Sequence, residues 1–165
     1  MGNSSSVTQE VRDDPCDTLP EVEADTSRCP KCPGILRASL NSAGCPLQYT
    51  QCSQLPESHL FCRFCLAPWK PIQKDGVEHC SNRSCELVYT LLICDTINNP
   101  NSYVHGCPVF RACPQCYCLM MHVDGCNNVT CPSCRHQFCF ICLQSSDSHL
   151  GFCRKPLASR QRFVT

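Results

Sequence analysis

The sequence lacks a long hydrophobic run, and its longest apolar segment, Leu87–Cys94, is far too short to cross a bilayer. It also lacks an excess of charge of either sign. Its 14 basic and 14 acidic residues give a formal net charge of zero, so no overall field draws the chain to nucleic acid. Aromatic residues make up 7% of the chain, and no basic stripe alternates with them. We therefore expect no nucleic-acid partner.

The amino terminus has neither the basic start nor the apolar core of a signal peptide. We therefore expect a cytoplasmic chain, in which thiols stay reduced and paired cysteines bind metal rather than form disulfides. Gly2 and Ser6 fit the pattern for N-myristoylation, although an ordinary polar terminus fits equally well. An acylated Gly2 would give weak, reversible membrane attachment.

Cysteine is what the sequence has in excess, with 20 among 165 residues, which is far above normal usage. Without its cysteines the apolar fraction would fall from 42% to about 30%, which is thin for a conventional core. A small scaffold of this kind needs disulfides or metal for stability. The expected compartment favours zinc.

Paired cysteines form two blocks, which predicts small zinc-stabilised α+β modules, loop-rich with short hairpins. We expect two tandem zinc-binding domains joined by a helix. The composition of the two ends, acidic at the start and basic at the tail, is typical of solvated, disordered segments. The expected divisions are an N-terminal segment, a first zinc domain, a helix with linker, a second zinc domain and a basic tail: 1–28, 29–85, 86–109, 110–153 and 154–165.

The connecting helix is expected within residues 84–97, where four apolar residues recur with helical spacing. Ser84 and Glu86 are suited to its first turn. The segment NNPNSYVHGCP that follows contains Asn, Pro and Gly, which end a helix.

Zinc is held by four thiolate or imidazole ligands in a tetrahedron, and a C-x-x-C turn presents two sulfurs together. Counting ligands in chain order predicts about four Zn²⁺ ions. The predicted ligands are Cys29, Cys32, Cys45 and Cys52; Cys62, Cys65, Cys80 and Cys85; Cys113, Cys116, Cys131 and Cys134; and Cys139, Cys142, His149 and Cys153. A cross-braced arrangement would use the same residues and give a different fold.

Five cysteines are left over by this count, and four of them are best explained as ordinary thiols: Cys16, Cys94, Cys107 and Cys118. Cys126 differs because it lies in a polar turn, DGCNN, between two complete pairs. An exposed thiol on a rigid turn is a candidate nucleophile. From composition alone, a bystander thiol is an equal alternative.

The run CPQCYCLMMHVDGCNNVTCPSCRHQFCFICL resembles the catalytic (Rcat) domain of RING-between-RING ubiquitin ligases. In that family a Gly-Cys follows a C-x-x-C pair, and its thiol accepts ubiquitin. Cys126 falls on this position. The first block is similar to the in-between-RING domain of the family, most clearly at FCRFCLAPWK, although its Cys45–Cys52 and Cys65–Cys80 spacings are wider than usual. The resemblance covers about Cys29–Cys153, and we expect no leading RING domain before Cys29.

The resemblance implies a ubiquitin-protein transferase in which Cys126 takes ubiquitin as a thioester from a conjugating enzyme and passes it to a substrate lysine. Ubiquitin, a conjugating enzyme and an unknown protein substrate would be the partners. Many family members have a histidine two residues after the nucleophile, where this chain has Asn128. Asparagine cannot take up a proton, and His122 and His136 are the nearby histidines. The 84–97 helix would contact ubiquitin or pack within the chain.

Two other classes of function compete with the transferase. A non-catalytic zinc adaptor that binds ubiquitin or a conjugating enzyme is favoured by Asn128 and by the missing RING domain. A zinc-dependent nucleic-acid binder is disfavoured by the zero net charge and the low aromatic content.

Removing zinc should unfold the chain, because each structural zinc contributes an apparent 10–16 kcal/mol, about ten times a typical hydrogen bond. Circular dichroism during titration with a strong chelator should show cooperative loss of structure that added zinc reverses. Retention of native structure after complete zinc removal would contradict this prediction.

Overall fold

The computed structural model of the chain describes residues 27–122, 125–148 and 152–163. Gly2, Cys16 and His149 lie outside these residues. Short strands, tight turns and a single helix make up the described part, with four cysteine-rich clusters. The predicted fold class of small, loop-rich zinc modules is therefore confirmed. No helix in the described ranges is long and apolar enough to span a membrane.

The first module contains a three-stranded antiparallel sheet and a separate hairpin. The sheet has the order β1 (Leu36–Leu40), β2 (Pro46–Cys52) and β3 (Leu60–Cys62). The hairpin pairs β4 (Pro71–Lys74) with β5 (Val77–Cys80). Three of these strands end on a cysteine, so each strand brings a sulfur to the end of the sheet or hairpin.

The β4–β5 turn shows why this hairpin is tight. Asp75 and Gly76 have φ angles of 53° and 78°. Two successive left-handed residues of the Asp-Gly type match the twist of a two-residue hairpin loop. The register then places Cys80 opposite Pro71 at the open end of the hairpin, away from the turn.

The connecting helix, α1, spans Cys85–Ile93 and is shorter than the predicted 84–97 range. Val88 and Leu91 are buried on its inner face, so these apolar positions pack within the chain. The helix ends because Cys94, with φ −55° and ψ 152°, turns into an extended conformation after its N–H donates to Thr90.

The linker after α1 is a closed loop rather than an open tether. Ile97 N–H donates to Cys107 O at 2.8 Å, and Val109 N–H donates to Asp95 O at 2.8 Å. Val104 is fully buried in this loop and packs with the second module. The loop therefore brings the chain back to the end of α1 before the second module begins.

The second module consists of two short antiparallel hairpins and a 3₁₀ turn. Strand β6 (Phe110–Ala112) pairs with β7 (Leu119–Met121), and β8 (Asn128–Thr130) pairs with β9 (Gln137–Cys139). The 3₁₀ turn covers Ser146–Ser148. Cys126 lies in the connection between the two hairpins, two residues before the start of β8.

The apolar core is divided into small clusters, and sulfur belongs to each of them. In the first module, Leu36 and Phe61 pack with Cys29 and Cys52. In the second, Phe138 packs with cysteines that include Cys113. Thiols at these positions act as core side chains as well as candidate metal ligands, which explains how a chain with few large apolar residues forms an interior.

The C-terminal tail differs from its predicted disorder. Arg111 donates from Nη1 and Nη2 to the carbonyl oxygens of Ser159 and Ala158, both at 2.7 Å. Gln161 forms two hydrogen bonds with the backbone of Ala112, each 2.8 Å long. The basic composition of the tail indicated a solvated segment, but residues 158–163 are fixed by partners about 50 positions earlier in the chain.

The same tail joins the two modules. Arg160 donates to Leu91 O at 3.1 Å and to Cys94 O at 2.5 Å, so it satisfies carbonyl groups at the negative end of α1. Phe163 stacks on Tyr117 of the second module at 4.4 Å and also packs on the core of the first. Burial lowers the pKa of Arg162, and nearby thiolates of the first module oppose that shift. Through Arg160 and Phe163, residues 158–163 of the tail contact both modules, and we call this segment the strap.

Replacing Arg160 with alanine should lower the free energy of unfolding by about 1–3 kcal/mol, because charged hydrogen bonds to the helix carbonyls would be lost. Denaturant titration of the zinc-loaded chain measures the change. Arg154→Ala is the matched control, since Arg154 is exposed in the same tail, and we expect a change within about 0.5 kcal/mol. Equal effects of the two substitutions would contradict the role of the strap.

Candidate metal centres and candidate catalytic cysteine

Every C-x-x-C pair lies on a turn with the same backbone hydrogen bond. The N–H of the first cysteine donates to the carbonyl five residues later, over 2.8–2.9 Å. The five bonds are Cys29–Gly34, Cys62–Ala67, Cys113–Cys118, Cys131–His136 and Cys139–Gln144. This shared frame explains why so short a motif can present two sulfurs on one side.

Four of the five turns also place a residue in the left-handed region directly after the second cysteine. These residues are Leu66, Tyr117, Arg135 and Leu143, with φ between 58° and 64°. A non-glycine residue there costs roughly 1 kcal/mol. The recurrence of this strain at the same position of four turns indicates that the turn preserves the geometry of the two sulfurs.

The second cluster contains the four cysteines that the sequence grouped together, Cys62, Cys65, Cys80 and Cys85. The Sγ atoms of Cys62 and Cys85 lie 3.5 Å apart, and those of Cys65 and Cys80 lie 3.8 Å apart. Two sulfurs bound to one tetrahedral zinc at about 2.3 Å would lie about 3.8 Å apart. The spacing therefore fits a zinc ion.

The third cluster has the same form in the second module. Cys113 and Cys134 have their Sγ atoms 3.6 Å apart, and Cys116 and Cys131 have theirs 3.5 Å apart. Successive pairs of the chain meet in both clusters. The grouping is therefore sequential, and these clusters do not adopt the cross-braced alternative.

The first cluster differs from its prediction. His59 takes the place that the sequence gave to Cys45, and it joins Cys29, Cys32 and Cys52. His59 Nδ1 lies 3.6 Å from Cys29 Sγ, and the Cys32 and Cys52 sulfurs are 3.3 Å apart. Three sulfurs and one imidazole nitrogen form a usual structural zinc set.

The register of the sheet explains why Cys45 is excluded. Cys52 pairs with Leu36 at one end of the β1–β2 hairpin, whereas Cys45 lies in the turn at the other end. A seven-residue strand at about 3.3 Å per residue separates them by roughly 20 Å, and no common ion can bridge that distance. The start of β3 brings His59 beside Cys52, whose N–H donates to His59 O.

The fourth cluster contains Cys139, Cys142 and Cys153 among the described residues. His149, its predicted fourth ligand, lies outside them. One C-x-x-C turn and the start of the tail bring these three cysteines together. They are three of the four ligands that the sequence predicted for this site.

The pKa values of cysteines within the clusters are shifted in opposite directions by their neighbours. A hydrogen bond from the backbone N–H of Cys134 lowers the pKa of Cys131 to about 6. In the second cluster, the interaction with the Cys62 side chain raises the pKa of Cys85. Crowded thiolates repel one another, so they cannot all ionise without a cation. A divalent metal removes this conflict, and the four clusters fit about four zinc ions.

Two leftover cysteines of the core behave as the sequence predicted. Cys107 is 1% exposed, and burial raises the pKa of its thiol. Cys94 is half-buried at the end of α1, where Arg160 Nη1 lies 3.2 Å from its sulfur. Neither belongs to a metal-ligand cluster within residues 27–122, 125–148 and 152–163, and we assign both to packing.

Cys126 occupies a different setting. Its side chain is exposed, and it belongs to none of the clusters found among the described residues. Gly125 before it has φ +101°, a conformation that a residue with a side chain rarely adopts. The glycine thus permits the sharp turn that carries the thiol to the surface.

Asn127 anchors this turn to the fourth cluster, a contact that sequence analysis missed. It is 7% exposed, and its Nδ2 donates to Cys139 Sγ at 3.4 Å. Its carbonyl accepts from Phe140 N–H at 2.6 Å. A hydrogen bond to a ligand sulfur orients that ligand, so the residue after Cys126 connects the exposed thiol to a candidate metal centre.

The two nearby histidines lie in different places. His122 Nε2 is 3.2 Å from the carbonyl oxygen of Cys126, and its ring packs 5.0 Å from that of Phe140. His136 stacks on Phe138 at 5.9 Å, and no contact between His136 and Cys126 is found. Of the two histidines, His122 is therefore the one that contacts the turn carrying Cys126. The sequence alone did not distinguish between them.

Together the fold and clusters define a zinc protein of two tandem modules with an exposed thiol on the second. The model of the IBR domain matches residues 108–149, within this second module. The chain is 30% identical to "Probable E3 ubiquitin-protein ligase RNF144A-B" of Danio rerio, over 94% of this chain and 50% of the relative. It is also 30% identical to "Probable E3 ubiquitin-protein ligase RNF144A" of Xenopus tropicalis, over 71% and 39%.

A further relative is "Potential E3 ubiquitin-protein ligase ariadne-2" of Caenorhabditis elegans, with 30% identity over 46% of this chain and 16% of the relative. The matching domain and these relatives confirm the resemblance seen in the sequence. The chain belongs to the RING-between-RING family. It spans half or less of the length of each of these three relatives.

The ligand set of the first cluster can be tested by paired substitutions. His59→Ala should release one zinc ion to a competing chelator that the unchanged chain resists, because three ligands hold zinc more weakly than four. Cys45→Ala should retain full zinc content. Metal analysis of the two variants measures this, and zinc loss from Cys45→Ala with none from His59→Ala would restore the original prediction.

Proposed function

We propose that the chain is a ubiquitin-protein transferase in which Cys126 carries ubiquitin as a thioester. The observation that carries the proposal is the position of Cys126, exposed and outside the sulfur clusters yet fixed through Asn127 to one of them. The relatives reported above are named probable E3 ubiquitin-protein ligases, and the resemblance of the sequence to the family motif puts Cys126 at the position of the nucleophile.

In the proposed reaction, Cys126 Sγ attacks the carbonyl carbon of the thioester between ubiquitin and a conjugating enzyme. A new carbon–sulfur bond forms at Cys126, and the cysteine of the conjugating enzyme leaves as a thiolate. A substrate lysine amine then attacks the same carbon, displaces Cys126 and gives an isopeptide bond. The first exchange is nearly balanced in free energy, so positioning contributes more than driving force.

The metal centres are structural in this proposal. Closed four-ligand zinc sites leave no coordination position for substrate, and three clusters present four ligand atoms each. Their contribution is to hold the hairpins on either side of Cys126. Asn128 is exposed two residues later and cannot act as a base, so the substrate amine loses its proton to another group.

The partners in this proposal are ubiquitin, a conjugating enzyme and a protein substrate. Among the described residues, Leu119 and Met121 lie on one face of β7 with exposed apolar side chains. In contrast, α1 buries Val88 in the core of the first module, and Leu91 on the same helix face is also buried. We therefore assign the inner face of the helix to packing and not to ubiquitin.

The test is thioester formation. The chain is incubated with activating enzyme, ATP, several conjugating enzymes and labelled ubiquitin, and reductant-sensitive adducts are resolved by non-reducing electrophoresis. Cys126→Ala should abolish the adduct, because the thiol that accepts ubiquitin is removed. Cys118→Ala is the matched control, since Cys118 is a nearby thiol outside the clusters, and its adduct should persist.

A non-catalytic adaptor is the second candidate function. It is favoured by Asn128 and by the match of the IBR domain to residues 108–149, the module for which the sequence predicted the catalytic part. Absence of an adduct with every conjugating enzyme, with full zinc content and retained binding to ubiquitin or a conjugating enzyme, would replace the transferase by the adaptor.

A further inference from the structure

His122 forms a contact that the family motif does not assign. Its Nε2 lies 3.2 Å from the carbonyl oxygen of Cys126. A carbonyl oxygen only accepts hydrogen bonds, so Nε2 carries the proton that is donated. The backbone N–H of His122 donates to Val109 O at 3.1 Å, which fixes the histidine to the start of the second module.

Phe140 completes a frame around the turn. Its side chain is fully buried, its ring packs against that of His122, and its N–H donates to Asn127 O. The carbonyl groups of Cys126 and Asn127 are therefore both held by groups from other parts of the module. The two peptide units that follow the Cα of Cys126 are thereby fixed, which restricts the backbone conformations that carry its sulfur.

We propose that His122 is a positioning residue for Cys126, acting by hydrogen bonding to the carbonyl of the nucleophile. This inference rests on the proposed transferase function. A reacting sulfur must approach the thioester carbon within about 3–3.5 Å and along a defined direction. By fixing the peptide of Cys126, His122 raises the fraction of molecules in which the sulfur points along that direction. It transfers no proton in this role.

A purely structural role of the imidazole ring is the competing explanation, because the ring also packs on Phe140. Two substitutions separate the ring from the donor. His122→Phe retains an aromatic ring and removes the N–H, whereas His122→Gln removes the ring and retains an N–H donor of similar reach. His136→Phe is the matched control, since His136 stacks on Phe138 in the same module and makes no contact with Cys126 that we observe.

The experiment measures two quantities on the zinc-loaded full chain. One is the single-turnover rate of ubiquitin transfer from a loaded conjugating enzyme to Cys126. The other is hydrogen exchange of the amides at residues 125–128, which needs no ubiquitin. His122→Phe should slow transfer about three- to tenfold, equivalent to one hydrogen bond, and speed amide exchange. His122→Gln should restore both within about twofold of the unchanged chain, and His136→Phe should change neither.

Three results would overturn the inference. Transfer at the unchanged rate in His122→Phe would show that the hydrogen bond does not matter. A defect in His122→Gln as large as that in His122→Phe would show that an N–H donor at this position does not restore transfer, so the effect would not belong to the hydrogen bond. If the unchanged chain forms no adduct, the transferase proposal fails separately, and amide exchange decides alone: unaltered exchange in His122→Phe would then also remove the positioning role.

Discussion

Crowding of sulfur around a shared cation is the constraint on which this structure depends. Each C-x-x-C turn brings two thiols together, and the fold then brings further ligands within 4.8 Å of them. Such groups cannot all ionise without a counter-charge, since neighbouring thiolates raise one another's pKa. Metal binding is therefore coupled to folding. The same sulfurs form part of the apolar clusters, so losing the cation would also disrupt the core.

Few contacts connect the sulfur clusters to the exposed thiol of Cys126. Asn127 connects Cys126 to the sulfur of Cys139, and Phe140, the next residue of the same turn, holds the Asn127 carbonyl. His122 holds the peptide on the other side. A nucleophile on a loop needs such support, because an unrestrained residue samples many conformations. The strap formed by residues 158–163 adds a further restraint, since Ala158 N–H donates to Ile141 O of that turn.

Local spacing predicted those parts of the structure that local geometry determines. The second and third clusters follow from the order of the cysteine pairs along the chain, and the exposure of Cys126 follows from its polar turn. The first cluster required the register of β1 and β2, which places Cys45 far from Cys52 and brings His59 close. The strap could not be predicted, because Arg160 binds carbonyl groups of residues 91 and 94. The composition of the tail shows its charge, but it does not show which distant backbone carbonyl groups its arginines bind.

In this structure the sulfur clusters that fit zinc hold the fold, and Cys126 remains outside them. Native mass spectrometry after brief alkylation with iodoacetamide, with the modified residues located by peptide mapping, tests it most directly. We expect modification of Cys126 in a chain that still carries about four zinc ions, with the ligand cysteines protected. Protection of Cys126 until zinc is released would instead make this sulfur a metal ligand and exclude it as the free nucleophile.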